Sequence, residues 1–417
     1  VIPAARLQAA IEVLERIAAS RQPADQVLKA WGAANRYAGS KDRRAVADQV
    51  YRCLRGQGGQ GGRRAVLASL VLDDGLALDE IAALFTGQGY APHPLTAEEV
   101  AWLADLPDEA RLPQFLETEL ERAFGADWPQ EARGLLRTRA PVDLRINTLK
   151  AAPDTIAAVL EQTGLHFEPT AHSMLGLRLW GSPDLATLDA FRSGVLEVQD
   201  EGSQIAALLA DARMGQTVID YCAGGGGKTL ALAAAMQGLG RLIACDIDAT
   251  RLEAVPPRLL RAGARADLRL IGADSLDDLE GQAHRVLVDA PCSGSGTWRR
   301  RPEEAWRLTR AELMRLNAIQ REVLGRAAAL VRPGGRLIYV TCSVLPAENH
   351  DIAGGFAAAY PQFTPLPIAE VAATAPMLTE PARARLAALA DGGPCVQLSP
   401  RRTGTDGFFI ALFQRTS

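Results

Sequence analysis

The sequence predicts an α/β protein whose C-terminal half is a parallel sheet covered on both faces by helices. Three observations carry this. From residue 216 onward, short apolar runs alternate with helical stretches, the pattern of a sheet buried on both sides. Four glycines, Gly224 to Gly227, sit between the first of these runs and its helix. Before residue 130, by contrast, apolar residues recur at intervals of three and four and no strand is predicted.

The length of 417 residues suits two or three domains. The chain is 48% hydrophobic and 23% charged, an ordinary globular balance. No run approaches the roughly 18 apolar residues of a membrane span, and the first residues lack the layout of a secretory signal. The chain opens on Val1 rather than Met, which suggests a start inside a longer natural chain. Six cysteines without a CxxC pair speak against zinc and against a disulfide framework, so a reducing cytoplasm is expected. The net charge of −4 gives no overall basic footprint. Binding to nucleic acid must therefore rest on local arginine clusters.

Residues 1–130 are expected to form a helical bundle. Residues 5–19 carry an amphipathic stripe of Leu7, Ala10, Ile11, Leu14 and Ile17. Similar patterns cover 27–31, 43–54, 63–72, 78–85, 97–103 and 113–124, and the glycine-rich stretch 56–62 reads as a flexible breaker. Residues 135–215 read as an α+β subdomain, with strands at 142–148, 176–180 and 195–199 and helices at 155–162 and 202–209. In 216–417 the strands are expected at 218–221, 242–246, 268–271, 286–289 and 337–341. A long helix is expected at 311–330 and a turn at 332–335. Pro256 and Pro257 should kink the second helix or delay its start. Ligands of such sheets bind beyond the carboxyl ends of the strands.

The candidate chemistry gathers at those ends. The segment Asp220-Tyr221-Cys222-Ala223-Gly224-Gly225-Gly226-Gly227-Lys228 allows close approach of backbone to a ligand, and its spacing is not that of a P-loop. Asp246 ends the second strand, where an acid can accept both hydroxyls of a ribose. Asp274 follows the third, within reach of an adenine amine. A single acid at a strand end is ordinarily only solvated. Two in succession beside a glycine loop favour an adenosine-containing cofactor, and without a phosphate-binding motif S-adenosylmethionine fits better than ATP.

Cys292 follows Asp289 and a strand-breaking Pro291, and Cys342 stands just beyond the 337–341 strand. A lone cysteine in such a place is usually a small buried hydrophobe. Two in one pocket have a chemical reason. C5 of cytosine is too electron-poor to attack a methyl sulfonium, and thiolate addition at C6 makes it enamine-like. The adduct must then lose the C5 proton and expel the thiol, which a second group can assist. Arg299, Arg300 and Arg301, after Trp298, could meet phosphates and a stacked base, although charge runs are often merely solvated.

Asp289-Ala290-Pro291-Cys292-Ser293-Gly294, Thr341-Cys342-Ser343 and the glycine loop ending at Lys228 resemble the Sun/Fmu-type RNA 5-methylcytosine methyltransferases. So do Ile146-Asn147-Thr148-Leu149-Lys150, Gln199-Asp200-Glu201-Gly202-Ser203 and Gly404-Thr405-Asp406-Gly407-Phe408-Phe409. The resemblance spans about residues 135 to 417. Residues 1–130 are more loosely similar to the NusB-like RNA-binding domain found in that family. It implies a Rossmann-like class I methyltransferase domain at 216–417, with S-adenosylmethionine held by Cys222 to Lys228, Asp246, Asp274 and Asp289. It makes Cys342 the nucleophile and Cys292 the promoter of release, with Asp289 on the cytosine. Gly224-Gly225 replace the family's Ala-Pro, which predicts a looser loop. The expected activity is C5 methylation of cytosine in RNA, ribosomal RNA before transfer RNA, by a cytoplasmic monomer needing no metal. The rivals are a non-catalytic RNA-binding assembly factor and methylation of another base or of protein, the last of which needs no thiol pair.

Overall fold

A computed structural model describes residues 3–106, 112–161, 164–181, 184–272 and 276–416. Asp274, and Gln162 at the end of the expected 155–162 helix, lie outside the described residues. The chain forms two compact units, Val1–Arg139 with Thr297–Thr309, and Ala140–Gly296 with Arg310–Ser417. These boundaries differ from a three-part division at 130, 135 and 215.

The first unit is helical. Its helices are Pro3–Ala19, Ala24–Ala34, Ser40–Gln57, Gly62–Leu72, Leu78–Leu84, Ala97–Ala104, Gln114–Phe124 and Trp128–Leu136. Their apolar stripes meet in a core that includes Ile11, Leu14, Val50, Leu54, Leu67 and Ile81. Thr96 caps its helix in a box with Glu99, each side chain taking the other's backbone N–H. The glycines of 56–62 serve packing more than flexibility. Gly56 and Gly62 lie inside helices, and a Cβ on Gly62 would come 2.8 Å from the Ile11 carbonyl oxygen. A Cβ on Gly58 would strike Trp306 Nε1 at 2.2 Å. Segment 297–309 is built into this unit. The Trp306 indole donates to the Leu54 carbonyl (2.8 Å), Arg307 donates to those of Ile17 (2.7 Å) and Ser20 (3.1 Å), and Glu303 accepts from the Ala24 amide (2.9 Å).

The second unit holds two sheets. Strands β1 (Val142–Ile146), β2 (Phe167–Pro169), β3 (Gly176–Leu179) and β4 (Leu196–Val198) form an antiparallel sheet in the order β2-β3-β1-β4. The larger sheet comprises β5 (Thr217–Tyr221), β6 (Arg241–Asp246), β7 (Asp267–Leu270), β8 (Ala283–Asp289), β9 (Val331–Thr341), β10 (Phe363–Pro365), β11 (Cys395–Gln397) and β12 (Phe409–Arg415). Its order is β10-β12-β9-β8-β5-β6-β7, with β11 also on β12. The strands from β9 to β7 run parallel, and β12 joins β9 antiparallel.

Alternation along each strand assigns the two faces. Val218, Leu287, Ile338 and Val340 face a core shared with helices Glu201–Leu209 and Gly227–Ala235. Ile219, Val286, Val288, Leu337 and Tyr339 face the opposite core, with Leu324 and Ala327 of helix Arg310–Leu330. Full burial of each such aliphatic side chain stabilises by about 1.5–3 kcal/mol. The expected turn at 332–335 is an irregularity within β9, where Ala283 pairs with Val331 but Arg285 pairs with Arg336. Pro256 and Pro257 lie in the first turn of helix Val255–Ala262, where a missing N–H costs nothing, so the helix starts late.

The small sheet and the large one belong to one unit because buried polar contacts join them. Asn147 Nδ2 donates to the Ala262 carbonyl (2.8 Å), and Glu197 accepts from both Arg258 (3.1 Å) and Arg261. Asp143 takes a bidentate pair from Arg178 (2.8 and 2.9 Å), which also reaches the Gly404 carbonyl (3.2 Å). Among the described residues, no helix is long and apolar enough to cross a membrane.

Candidate active site

Strand β5 lies between β6 and β8, and the chain runs to one side through β6 and β7 before returning to the other at β8. The loops after β5 and β8 therefore diverge, which opens a crevice at their carboxyl ends. Register places Tyr221 beside Val288 and Asp289 beside Val340, so loops 222–227, 290–296 and 342–349 leave the sheet at one edge.

The first loop begins with strain. Cys222 has φ +76°, a left-handed conformation rare for a residue with a side chain. It is held there because the amides of Cys222 and Ala223 both donate to the Cys245 carbonyl (2.9 and 2.8 Å). Gly224 (φ +54°) and Gly226 (φ +81°) complete the turn. The loop is tied down along its length. Gly224 N donates to Asp246 Oδ2 (2.7 Å), and Gly226 N donates to the Ala223 carbonyl (2.9 Å). The Gly225 carbonyl accepts from Arg258, and that of Gly227 accepts from Gln199 Nε2 (3.2 Å). These ties offset the freedom that two extra glycines bring. Asp246 thus shapes the loop, and its Oδ1 also accepts from the Asp248 amide (2.8 Å).

Lys228 and Asp289 form an ion pair across the crevice, Nζ to Oδ2 2.7 Å. Asp289 keeps 33% of its side chain exposed, whereas Lys228 is buried and lies over the Phe408 ring at 5.3 Å. Burial alone would lower the lysine pKa, but the charges of Asp289 and Cys342 hold it above its ordinary value. Beneath the loop, Asp220 is fully buried and accepts from Thr229 Oγ1 (2.6 Å). Burial pushes its carboxyl up to about 7.

Cys292 and Cys342 meet, Sγ to Sγ 3.4 Å, and both are free thiols of intermediate exposure. The Cys292 thiol is held well above the usual range, first by its hydrogen bond to Cys342 and then by burial. Either thiol can donate in this contact, and a Cys292 held protonated can donate to Cys342. The loops around them are interlocked. Gly296 N donates to the Cys342 carbonyl (2.9 Å), Gly407 N donates to that of Gly296 (2.8 Å), and Ser295 and Ser343 share a hydroxyl contact of 2.8 Å. A Cβ on Gly296 would fall 1.9 Å from the Gly407 carbonyl oxygen. Gly296→Ala should therefore destabilise the fold by about 1–3 kcal/mol, the usual range for overpacking. A clear drop in thermal midpoint checks this, and an unchanged midpoint rules out so tight an approach.

The structure brings Cys292, Cys342, Asp289, Lys228, loop 222–227 and Asp246 to one crevice. It corrects the reading of Trp298 as a stacking platform, because that ring is fully buried in the helical unit. Arg299 is only 4% exposed, Arg300 is half-buried and Arg301 is exposed, so the three do not form one surface row. They lie in the 297–309 segment of the helical unit, which is held there by distant contacts such as the Trp306 indole on the Leu54 carbonyl (2.8 Å). Residues missed in the sequence include Glu348 and Gln320, which lie behind the thiols. The available signal was an acid followed by an amide, Glu348-Asn349, directly after an apolar turn. Among the described residues no group of three His, Cys, Asp or Glu could hold a metal ion.

Comparison with known proteins agrees with this geometry. Residues 207–414 match the family described as 16S rRNA methyltransferase RsmB/F, and residues 112–185 match the ferredoxin-like domain of RsmF/B-like methyltransferases. The chain is similar to ribosomal RNA small subunit methyltransferase B of Cronobacter sakazakii, 30% identical over 80% of this chain and 69% of that protein. It is also similar to the protein of that name from Pseudomonas syringae pv. tomato, 33% identical over 70% of this chain. There it spans 64% of the relative's length, just under two thirds. The crystal structure of PH0851 shares the fold, with a TM-score of 0.75 and 24% identity, over 99% of both chains. The chain belongs to the 16S rRNA methyltransferase RsmB/F family.

Proposed function

We propose that this chain methylates C5 of a cytosine in RNA, with small-subunit ribosomal RNA as substrate and S-adenosylmethionine as methyl donor. The observation that carries the proposal is the pair of thiols 3.4 Å apart, beside a glycine loop at the switch point of the sheet. The names of the curated relatives support the choice of RNA.

The residues present fit the donor. A Cβ on Gly224 would meet nothing within 4 Å, so the loop leaves open ground for a ligand. Asp246 stands at the end of β6, and Asp220 Oδ1 beneath the loop has no hydrogen-bond partner among the described residues. Cys222 to Lys228, Asp246 and Asp289 would hold the cofactor, with Asp274 added on sequence grounds. When bound, S-adenosylmethionine supplies an electrophilic methyl group.

The chain's own residues do the rest. The base must be unpaired or flipped to reach the crevice. Asp289, held by Lys228 through one oxygen, offers the other to the cytosine amine. The Cys342 thiolate adds to C6, which breaks the ring's aromaticity and places electron density on C5. In the 5-methylated adduct, water takes the C5 proton, the C–H electron pair re-forms the C5=C6 double bond, and the C6–S bond breaks with Cys342 leaving as thiolate. Cys292, neutral and adjacent, donates a hydrogen bond to the departing sulfur. Arg300 and Arg301 are proposed contacts for RNA phosphates.

The direct test incubates the full chain with methyl-labelled S-adenosylmethionine and a 16S ribosomal RNA transcript, then digests the RNA to nucleosides. Label in 5-methylcytidine is the expected result. Label in any other nucleoside, or none above background, overturns the proposal.

A further inference from the structure

Glu348 stands six residues beyond Cys342, at the end of the loop that follows β9, and its side chain is fully buried. A buried carboxylate is costly unless hydrogen bonds compensate it. Here four donors converge on it. The Ser293 amide (2.8 Å) and Gln320 Nε2 (3.0 Å) donate to Oε1, and the hydroxyls of Ser293 and Ser343 donate to Oε2. Gln320 also donates to the Pro291 carbonyl (2.9 Å), so the same amide holds the chain just before Cys292. Ser293 directly follows Cys292 and Ser343 directly follows Cys342. One carboxylate thus anchors the residue after each thiol, although the loops are 50 residues apart in sequence. Nothing in the proposed reaction uses Glu348, and its burial keeps it from touching substrate.

We infer that Glu348 is a positioning residue for the thiol pair: it ties both cysteine loops to one point and so sets the 3.4 Å sulfur–sulfur contact. Its charge acts in the same sense as its geometry. A negative group behind Cys292 opposes a second negative charge there and so helps to hold the proton on Cys292. The catalytic meaning of this bias rests on the methylation proposed above, but the bias itself can be read without RNA or cofactor.

The test is thiol alkylation of the full chain by iodoacetamide across pH 6 to 9, with the modified peptides quantified by mass spectrometry. The unmodified chain should alkylate at Cys342 faster than at Cys292. Glu348→Gln keeps the size and removes the charge. It should narrow the Cys342-to-Cys292 rate ratio by about tenfold and shift the Cys292 alkylation profile to lower pH, the scale of one buried charge. A purely structural role would alter accessibility at both sites without moving that profile. Ser343→Ala guards against a Glu348 variant that does not fold, since it removes one tether and leaves the carboxylate. It should narrow the same ratio about threefold. An unchanged ratio in a folded Glu348→Gln, or in Ser343→Ala where Glu348→Gln does not fold, overturns the inference. If selectivity behaves as expected while the chain does not methylate RNA, the functional proposal fails and this one stands.

Discussion

Cys342→Ser should reduce C5 methylation by about four orders of magnitude or more, the scale seen when a covalent nucleophile is removed. A serine hydroxyl ionises far less readily than a thiol, and Lys228, charged and engaged with Asp289 (2.7 Å), cannot take its proton. A charged Lys228 favours a thiolate at this position but cannot ionise an alcohol. The fold should survive, because Cys342 is only partly buried and serine keeps nearly its size. Single-turnover label transfer to the ribosomal RNA transcript measures the effect. A rate within tenfold of the unmodified chain would eliminate the covalent route.

Cys292→Ala should have the opposite signature. Addition at C6 needs only Cys342, so methylation should proceed once per protein molecule. Release should then stall, because the departing sulfur has lost its hydrogen-bond donor. A band of protein linked to RNA that survives denaturing electrophoresis should accumulate, and steady-state turnover should fall by about a hundredfold or more, within the range of positioned proton donors. The Cys292→Ala, Cys342→Ser double variant should show no such band, which identifies the linking sulfur. Normal turnover by Cys292→Ala would remove it from product release.

Much of this was readable in the sequence because it is local. The strands of the large sheet up to Thr341 follow from apolar runs and the breaks between them, and each candidate side chain sits at the end of its own run. Both cysteines, Asp289, Lys228 and Asp246 could be placed at strand ends for that reason. What stayed hidden depends on distant pairing. Ser293 and Glu348 are 55 residues apart, and no periodicity links them. The antiparallel strand β12 follows a stretch of short helices and closes the sheet against β9, which alternation of strand and helix does not announce. Trp298 and Arg299 misled for a related reason. Close after Cys292 they resemble a pocket rim, but they belong to the segment packed into the helical unit, where Trp306 finds its partner at Leu54, 252 residues earlier.

That excursion bears on how the protein can be taken apart. The backbone leaves the sheet-bearing unit after Gly296 and returns at Arg310, having contributed Thr297–Thr309 to the helical one. The helical unit is therefore not a detachable cassette. A fragment ending at residue 139 would lack the indole that covers Gly58 and caps the Leu54 carbonyl. The complementary fragment would carry that indole without its Leu54 and Gly58 partners. Swapping the N-terminal region between relatives requires exchanging the thirteen residues of Thr297–Thr309 with it, as a two-piece graft. Changes in the helical region and in that segment should accordingly be selected together.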